Sequence, residues 1–356
     1  MREPRKIKFD HHANNRLSLW KRENKRLFVT KIIRLFLLSV LLLALVNLSL
    51  KIPSFIDNVN KPFEKIQSNI IKGSSVNDKY RTNIMIVSLS ERDSLQDVVL
   101  ASFSSNKKSL SILRVPVATK IYTFGSDQYI SLGAAYFSKV YQDSSLDSLL
   151  SITKETLALP IDGYFVFNQT GLEFDDGQVK EVKNKIFSPS FFFGFLGLKK
   201  WLDTNMKTGY SVKEIANLSW SYKQMSPERI VFLDLEESAE DKKISFQKGD
   251  TLIKEQSLDS SIANEKGVVE IVHSTEEEYF GQVVERLVNN LGASTVNLGK
   301  VGKNSVTRVI LGSNKNFVAE RVAKFLNTEV EKEDLEGGVD VRVIIGEDFS
   351  EKFYGK

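Results

Sequence analysis

One apolar segment near the start of the chain limits what the whole chain can be. Residues 32–50 read IIRLFLLSVLLLALVNLSL, and Arg34 is the one charged residue among them. A helix needs about 20 mostly apolar residues to cross a bilayer. Arg34 can extend its charge to the headgroups, so Ile32 and Ile33 count toward the span. The sequence therefore predicts a transmembrane helix over residues 32–50.

A cleaved signal peptide is the alternative interpretation of this segment. A long basic region precedes it and no small-x-small cleavage motif follows it, which favours a retained signal anchor. Residues 1–31 are then a basic cytoplasmic tail, because lysine and arginine flank membrane spans on the inner side. We expect a single-pass protein of the cytoplasmic membrane, with its N-terminus inside and its folded domains outside.

Charge and cysteine content exclude several functions. The net charge of the chain is +4, but residues 1–34 contain 11 Lys/Arg and 3 Asp/Glu, so that the remainder is net acidic. A folded part of this kind lacks the basic face that nucleic-acid binding needs, and no nucleic-acid partner is expected. The chain contains no cysteine, which excludes disulfides, thiolate metal sites and cysteine nucleophiles. An exported protein without disulfides is more typical of bacteria than of a eukaryotic secretory route.

After the membrane segment the sequence predicts a spacer and a first folded domain. Residues 51–81 contain Pro53, Pro62 and a polar Gly/Ser stretch, which is typical of a spacer. Residues 82–236 alternate β-branched runs with helical stretches and predict a mixed α/β sandwich. The predicted strands are Asn83–Leu89, Asp97–Ser104, Ser109–Val117, Asp162–Asn168 and Glu228–Leu235, and Ser211 with Glu214 forms a capping box before a helix.

A second, smaller domain is predicted to follow a polar linker over residues 237–267. Residues 268–350 read as β-α-β-β-α-β, the order of a split βαβ arrangement. Its first helix carries one apolar stripe from Phe280 to Leu291, and Gly292 is expected to end that helix. Its second helix is predicted to bury one face as well.

Five sequence stretches resemble the LytR-CpsA-Psr (LCP) family of bacterial cell-envelope proteins. GVDVRVIIGEDF, near the C-terminus, is similar to the separate LytR-type C-terminal domain that often follows in this family. The other four are similar, in order and spacing, to motifs of the family's catalytic domain, and they are NIMIVSLSER (Asn83–Arg92), QDVVLASF (Gln96–Phe103), LSILRVPVAT (Leu110–Thr119) and IDGYFVFNQTGL (Ile161–Leu172).

The resemblance implies an activity and a set of charged residues. Members of the family attach lipid-linked glycopolymers to peptidoglycan by phosphotransfer, with a divalent metal and a pocket for polyprenyl pyrophosphate. Carboxylates hold the metal and arginines balance the phosphate charge. In this chain the resemblance leaves Asp97 as a candidate metal ligand, with Arg92 as its remnant partner. Mg²⁺ is expected only if the chain is an active phosphotransferase.

The chain departs from the family's motifs at most of the charged positions. Ser90 stands at the first acid, and Val117 and Ala118 stand at an arginine and an aspartate. Ser131 falls at a lysine. The family's arginine-rich segment has no counterpart, and an apolar run, Phe187–Leu198, stands in its place.

Ligand contacts are predicted at a few further residues. Arg114 lies near the motifs and could take the place of a missing arginine. Phe191, Phe192 and Phe193 lie in the apolar run and could line a groove for a lipid chain or pack in the core. For Asp97 and Arg92 the alternative to a remnant site is an ordinary salt bridge at the start of a strand.

Three functions remain open at this point. The chain is expected to be a non-catalytic or impaired LCP-like protein that binds a wall glycopolymer, a lipid carrier or another envelope protein. An active glycopolymer phosphotransferase with a rearranged site is the first alternative. A structural adaptor that recruits a partner through its C-terminal domain is the second.

Overall fold

A computed structural model describes most of the chain after the predicted spacer and a few residues within it. No helix among these residues is long and apolar enough to cross a membrane, and the predicted span 32–50 lies outside them. The residues that the structure describes are 68, 70–71, 80–90, 92–123, 128–137, 145–168, 177, 181, 184, 202–235, 239–240, 243–244, 246–257, 259–273, 278–300, 306–312, 314 and 316–354.

In the first half of the folded region, the described strands belong to two sheets and are accompanied by helices. The strands are β1 (Thr82–Leu89), β2 (Leu95–Ser104), β3 (Ser109–Val115), β4 (Lys120–Thr123), β5 (Gln128–Ser131), β6 (Gly163–Asn168), β7 (Met206–Thr208) and β8 (Ile230–Asp234). The helices are α1 (Leu132–Phe137), α2 (Ser145–Leu157) and α3 (Val212–Lys223), and a 3₁₀ turn, Pro227–Arg229, precedes β8.

The main sheet is mixed and has the order β7-β6-β1-β2-β3-β8. β1, β2 and β3 pair as antiparallel neighbours, which confirms the predicted tight connection between β2 and β3. β6 is parallel to β1 and β8 is parallel to β3. The smaller sheet has the order β5-β4-β10-β9, in which β9 is Ala239–Glu240 and β10 is Lys243–Ile244.

Both faces of the main sheet are covered by helices, as expected for an α/β sandwich. Because side chains alternate along a strand, Met85 and Val87 face one layer while Ile84 and Ile86 face the other. The first face packs in one core cluster with residues of α1 and α2. The second face packs against Ile215 and neighbouring side chains of α3.

Residues 237–267, predicted to be a linker, contain regular structure. They hold two short strands, β9 (Ala239–Glu240) and β10 (Lys243–Ile244), and two helices, α4 (Phe246–Ser257) and α5 (Ser260–Glu265). Asp259 caps α5 by accepting the N–H of Ser261, and it also accepts the N–H of Arg81. The segment is therefore packed on the first half of the chain, and the domain boundaries stay a prediction.

The second half forms a five-stranded sheet in the order β12-β11-β15-β13-β14. Its strands are β11 (Val268–His273), β12 (Ser294–Lys300), β13 (Arg308–Leu311), β14 (Val330–Lys332) and β15 (Val341–Ile345). Its helices are α6 (Glu278–Leu291), α7 (Asn316–Leu326) and α8 (Phe349–Tyr354). The predicted apolar stripe of α6 is buried along its length, and Gly292 ends the helix with φ at 91°.

The split βαβ pairing predicted for this half is wrong. In that arrangement another strand separates the two strands that a helix connects. Here α6 connects β11 to β12 and α7 connects β13 to β14, and each connected pair is made of adjacent parallel strands. β15 enters between the two units, parallel to β11 and antiparallel to β13. The three residues of β14 gave no strand signal, because Glu331 and Lys332 make the segment charged.

The two halves share one hydrophobic core. The largest cluster of buried side chains runs from β1 and α2 through α6 and α7 to β15. Polar contacts cross the same boundary, since Arg286 Nη2 donates to the carbonyl oxygen of Thr156 over 2.8 Å and Tyr354 Oη donates to Glu155 over 2.9 Å. Helix α2 lies at this junction, and its residues from Leu146 onward are buried.

Candidate functional site

Four parallel strands end together at one end of the main sheet. β1 and β3 both run antiparallel to β2, while β6 follows β1 and β8 follows β3. The carboxyl ends of β1, β3, β6 and β8 therefore point the same way. Ligands of open α/β sheets bind outside the carboxyl ends of the strands. This end of the sheet is the first place to look for a binding site.

Asp97 and Arg114 form an ion pair at this end. Arg114 Nε donates to Asp97 Oδ1 over 3.3 Å, and the N–H of Val98 donates to the same oxygen over 3.1 Å. The side chain of Arg114 is 59% exposed, whereas that of Asp97 is 10% exposed. A guanidinium has five N–H donors. Among the described residues it uses one of them on a side chain, so that most of its donors face solvent.

Burial raises the pKa of Asp97 above its ordinary value. The loss of solvation is the largest cause, the contacts with Arg114 and the Val98 N–H oppose it, and the nearby carboxylate of Asp234 adds to it. Asp234 lies opposite Arg114 in the register of β3 and β8. Two carboxylates and one guanidinium thus share one face of the sheet, and their sum is one negative charge when both acids are ionised.

Asp234 was not among the predicted site residues. Its signal in the sequence is its position near the end of the strand ERIVFLDL. That signal becomes informative only once β8 is known to pair in parallel with the strand that carries Arg114.

Arg92, the predicted partner of Asp97, lies apart from this group. It follows β1 in a turn, where its backbone N–H donates to Ser90 Oγ over 3.2 Å and its side chain is exposed. Within the described part of the chain no ion pair joins Arg92 to Asp97. The structure instead gives Asp97 the partner Arg114, which the sequence analysis had named as a possible substitute.

Ser90, at the position of the family's first acid, serves the turn itself. Its Oγ accepts the N–H groups of Arg92 and Ser94 over 3.2 Å and 3.1 Å. Its own N–H donates to the Ser94 carbonyl oxygen over 2.8 Å. Hydroxyl-to-backbone contacts of this kind are typical of turn-forming serines. The position supplies local structure and no charge.

Val117 and Ser131, where the resemblance implies an arginine and a lysine, also serve local structure. Val117 packs against the core and lies so close to Gly133 that a Cβ there would be 2.8 Å from Val117 Cγ1. Ser131 Oγ accepts the N–H of Ala134 over 3.1 Å at the start of α1. Ala118, beside Val117, is exposed and has no charge. Because none of these three residues carries a charge, Arg114 is the residue that supplies a guanidinium to the site.

Among the described residues, the side chains around Asp97 do not fit a magnesium ion. Mg²⁺ binds carboxylate, phosphate and water oxygens in octahedral geometry. Asp97 Oδ1 already accepts from Arg114, whose positive charge would repel a cation at the same carboxylate. Across the described residues there is no group of three or more His, Cys, Asp or Glu side chains that could hold a metal. The expectation of Asp97 as a metal ligand therefore gains no support from the geometry.

Aromatic side chains lie on the same face as the ion pair. Phe167 is opposite Ser88, which is in turn opposite Asp97, so that all three side chains point to one side of the sheet. Phe165 stacks on Phe167 with 6.3 Å between the ring centroids, and both rings are half-buried. The predicted lipid contacts Phe191, Phe192 and Phe193 lie outside the described residues and stay a prediction.

No protein-family model matches the chain, and no curated protein sequence does. Several solved structures match it. The crystal structure of Bacillus subtilis TagV is 10% identical, with a TM-score of 0.38, over 61% of this chain and all of that one. The crystal structure of B. subtilis TagT is 14% identical, with a TM-score of 0.34, over 55% of this chain and 97% of that one.

A structure of TagT bound to LI-WTA is 13% identical to the chain, with a TM-score of 0.38. The match covers 54% of this chain and 98% of that one. TagT and TagV are LCP-family proteins. At these identities and TM-scores the matches assign no function to this chain, and none of them shows the LytR-type C-terminal domain.

Proposed function

We propose that this chain is a membrane-anchored protein of the bacterial cell envelope, related to the LCP family, that binds a wall glycopolymer without transferring it. The proposal rests on the uncharged residues that this chain has at positions where the family has charged ones. Ser90 holds a turn, Val117 packs against the core and Ser131 lies at the start of a helix. What is left is a polar pair, Asp97 and Arg114, at the carboxyl ends of the strands.

The charge of the face favours sugar over pyrophosphate as the bound group. Asp97, Arg114 and Asp234 together are neutral or negative, depending on the protonation of Asp97. A pyrophosphate needs several cations around it, as in phosphoryl-transfer sites. Sugar hydroxyls need acceptors and donors in close proximity, which the Asp97 carboxylate and the exposed Arg114 guanidinium supply. The half-buried rings of Phe165 and Phe167 offer an apolar surface beside them.

The same charges argue against catalysis of phosphotransfer. The transition state spreads negative charge over the phosphoryl oxygens, and enzymes stabilise it with preorganised cations. Arg114 is already neutralised by Asp97, and Asp234 adds an opposing field. We therefore infer binding without turnover.

The test is binding of soluble cell-wall glycopolymer fragments to the full-length chain, with and without a chelator. We expect Arg114→Met to weaken binding about tenfold, which corresponds to the loss of one charge-assisted hydrogen bond. Arg92→Met is the matched control, since it removes the same charge from an exposed turn and should leave binding unchanged. Equal losses in both variants, or binding that requires Mg²⁺, would count against the proposal.

An active phosphotransferase with a rearranged site is the second candidate. It is favoured by the convergence of Asp97, Asp234 and Arg114 on one face of the sheet. This candidate requires a second cationic side chain close to Arg114. Arg92 does not meet that need, because no ion pair among the described side chains joins it to Asp97. A direct assay of turnover separates the two candidates.

A further inference from the structure

A second site lies at the opposite end of the main sheet, at the junction of the two halves. There a cavity of about 250 Å³ opens between α2, the segment before β6 and the C-terminal end of α7. Ile71, Leu150 and Ile161 form its apolar wall. The charged residues that line it are Lys154, Lys324 and Glu329, and Glu329 is exposed. Ile161 directly precedes Asp162 and the start of β6, so the cavity is remote from the carboxyl ends of the strands.

Lys154 is buried at this cavity without a counter-charge. The residue is 4% exposed, and its Nζ lies 4.8 Å and 4.2 Å from the ring centroids of Phe325 and Phe353. Within the described part of the chain it makes no hydrogen bond and no ion pair. Ring faces attract a cation but do not replace its hydration. As a result, burial lowers the pKa of Lys154 to about 7.

Two carboxylates next in sequence to lining residues of the cavity, Asp162 and Glu155, are committed to other groups. Asp162 is held by Arg321 and Lys324 over 2.6 Å and 2.8 Å. Glu155, the next residue of α2, accepts the hydroxyl groups of two tyrosines, Tyr279 and Tyr354, from α6 and α8.

One carboxylate remains near the mouth of the cavity. Glu329 lies in the exposed segment after α7, and it is the acid that could compete with a ligand for the lysine. Its exposure keeps it hydrated, and among the described residues no ion pair joins it to Lys154.

We propose that this cavity binds the anion of a short-chain carboxylic acid, with its carboxylate on Lys154 Nζ and its hydrocarbon chain along the isoleucine and leucine side chains of the wall. One negative charge matches one ammonium group, and the apolar wall disfavours a small polyanion such as phosphate. The volume admits a ligand on the order of ten non-hydrogen atoms, smaller than a drug-sized molecule. The inference is independent of the glycopolymer site.

Binding of this anion is coupled to a proton. A bound carboxylate favours the ammonium form of Lys154, so the amine takes up a proton as the ligand enters above pH 7. The affinity should therefore fall about tenfold for each pH unit above 7. Among the charged groups on the elements that line the cavity, Asp162 is paired with Arg321 and with Lys324, and Glu329 is exposed.

The experiment is calorimetric titration of the full-length chain with hexanoate, hexanol and inorganic phosphate at two pH values. The result expected is hexanoate binding that weakens with pH and is accompanied by proton uptake, with hexanol and phosphate at least tenfold weaker. Lys154→Met should lose at least tenfold in hexanoate affinity and all of the pH dependence. Lys213→Met, at an exposed position of α3, is the matched control and should bind as the unaltered chain does.

Four results would overturn the inference. Hexanol binding as tightly as hexanoate would mean an apolar cavity with no role for the amine. Phosphate binding more tightly than hexanoate would mean a general anion site. No binding of hexanoate at millimolar concentration, or unchanged binding in Lys154→Met, would remove the site altogether. Thermal unfolding of Lys154→Met establishes that the variant is folded, and ¹³C-methylated Lys154 observed by NMR reports the same proton uptake without a substitution.

Discussion

Two buried aspartates, each paired with an arginine, have opposite pKa shifts. Asp97, at the carboxyl ends of the strands, has a raised pKa. Asp162, at the junction of the halves, has a lowered one. Loss of solvation is the largest single effect at both and favours protonation. The paired arginines decide the direction of each pKa shift. Asp97 is paired at 3.3 Å with Arg114, whose side chain is mostly in solvent, whereas Asp162 is paired with Arg321, whose side chain is 3% exposed.

The difference separates a binding group from a structural one. Asp162 accepts from Arg321, Lys324 and the N–H of Asn83, so each of its oxygens is used inside the fold. Asp97 keeps a weaker attachment to a guanidinium that is free to reach a ligand. A structural ion pair and a candidate site can thus look alike in the sequence, where both are an aspartate next to a β-branched strand.

The largest effect is expected at Asp162. Asp162→Asn keeps the acceptor for Asn83 but leaves Arg321 buried without a counter-charge, which should cost about 3–5 kcal/mol in the free energy of unfolding. Chemical denaturation of the full-length chain measures it. The double variant Asp162→Asn/Arg321→Met should recover part of the loss, and failure to recover any would mean that the pair is not the source.

Lys154 gives the next largest effect, with the opposite sign. Because its pKa is about 7 in the fold and higher when unfolded, the unfolded chain binds more protons above pH 7 and the wild type gains stability as pH rises toward 10. Lys154→Met should raise the free energy of unfolding at pH 7 by on the order of 3 kcal/mol. Denaturation at pH 7 and pH 9 should show the difference shrinking with pH, and a difference independent of pH would refute the assignment.

The capping box of α3 shows how much a purely local contact contributes to the free energy of unfolding. Ser211 Oγ accepts the N–H of Glu214 over 3.3 Å, and Glu214 accepts the N–H of Ser211 over 2.8 Å. Ser211→Ala should cost about 1 kcal/mol, because one backbone donor loses its acceptor. The melting temperature reports this change, and Ser211→Asp should restore most of it.

Asp97 is expected to give the smallest effect on stability. Since Arg114 is mostly solvated, Asp97→Asn should change the free energy of unfolding by less than about 1 kcal/mol. The raised pKa means that the folded carboxyl prefers its proton, so relative to Asp97→Asn the wild type should lose stability as pH rises from 3 to 6. A loss as large as that of Asp162→Asn would make Asp97 a structural residue and would erase the contrast between the two regions.

Features set by neighbours in sequence were predictable. The capping box at Ser211, the apolar stripe from Phe280 to Leu291 and the helix end at Gly292 each depend on residues within a few turns, and the structure confirms all three. The pairing of β2 with β3 follows in the same way from the short turn between them.

Features set by distant elements were not predictable. The pairing of β15 between two βαβ units depends on strands far apart in sequence, and the predicted split βαβ arrangement was wrong. Lys154 lies on a helix of ordinary amphipathic character, and its burial appears only when the second half covers α2. At the candidate site Arg114 was named from the sequence, but its pairing with Asp97 and the proximity of Asp234 required the register of three strands.

The most direct test of the account is an assay of turnover. The full-length chain is incubated with a polyprenyl pyrophosphate-linked sugar and peptidoglycan in the presence of Mg²⁺ or Mn²⁺, and transfer of the sugar is measured. The account predicts no transfer above background, together with glycopolymer binding that depends on Arg114 and not on metal. Transfer that requires the metal and disappears in Asp97→Asn would contradict it and would make the chain an active phosphotransferase.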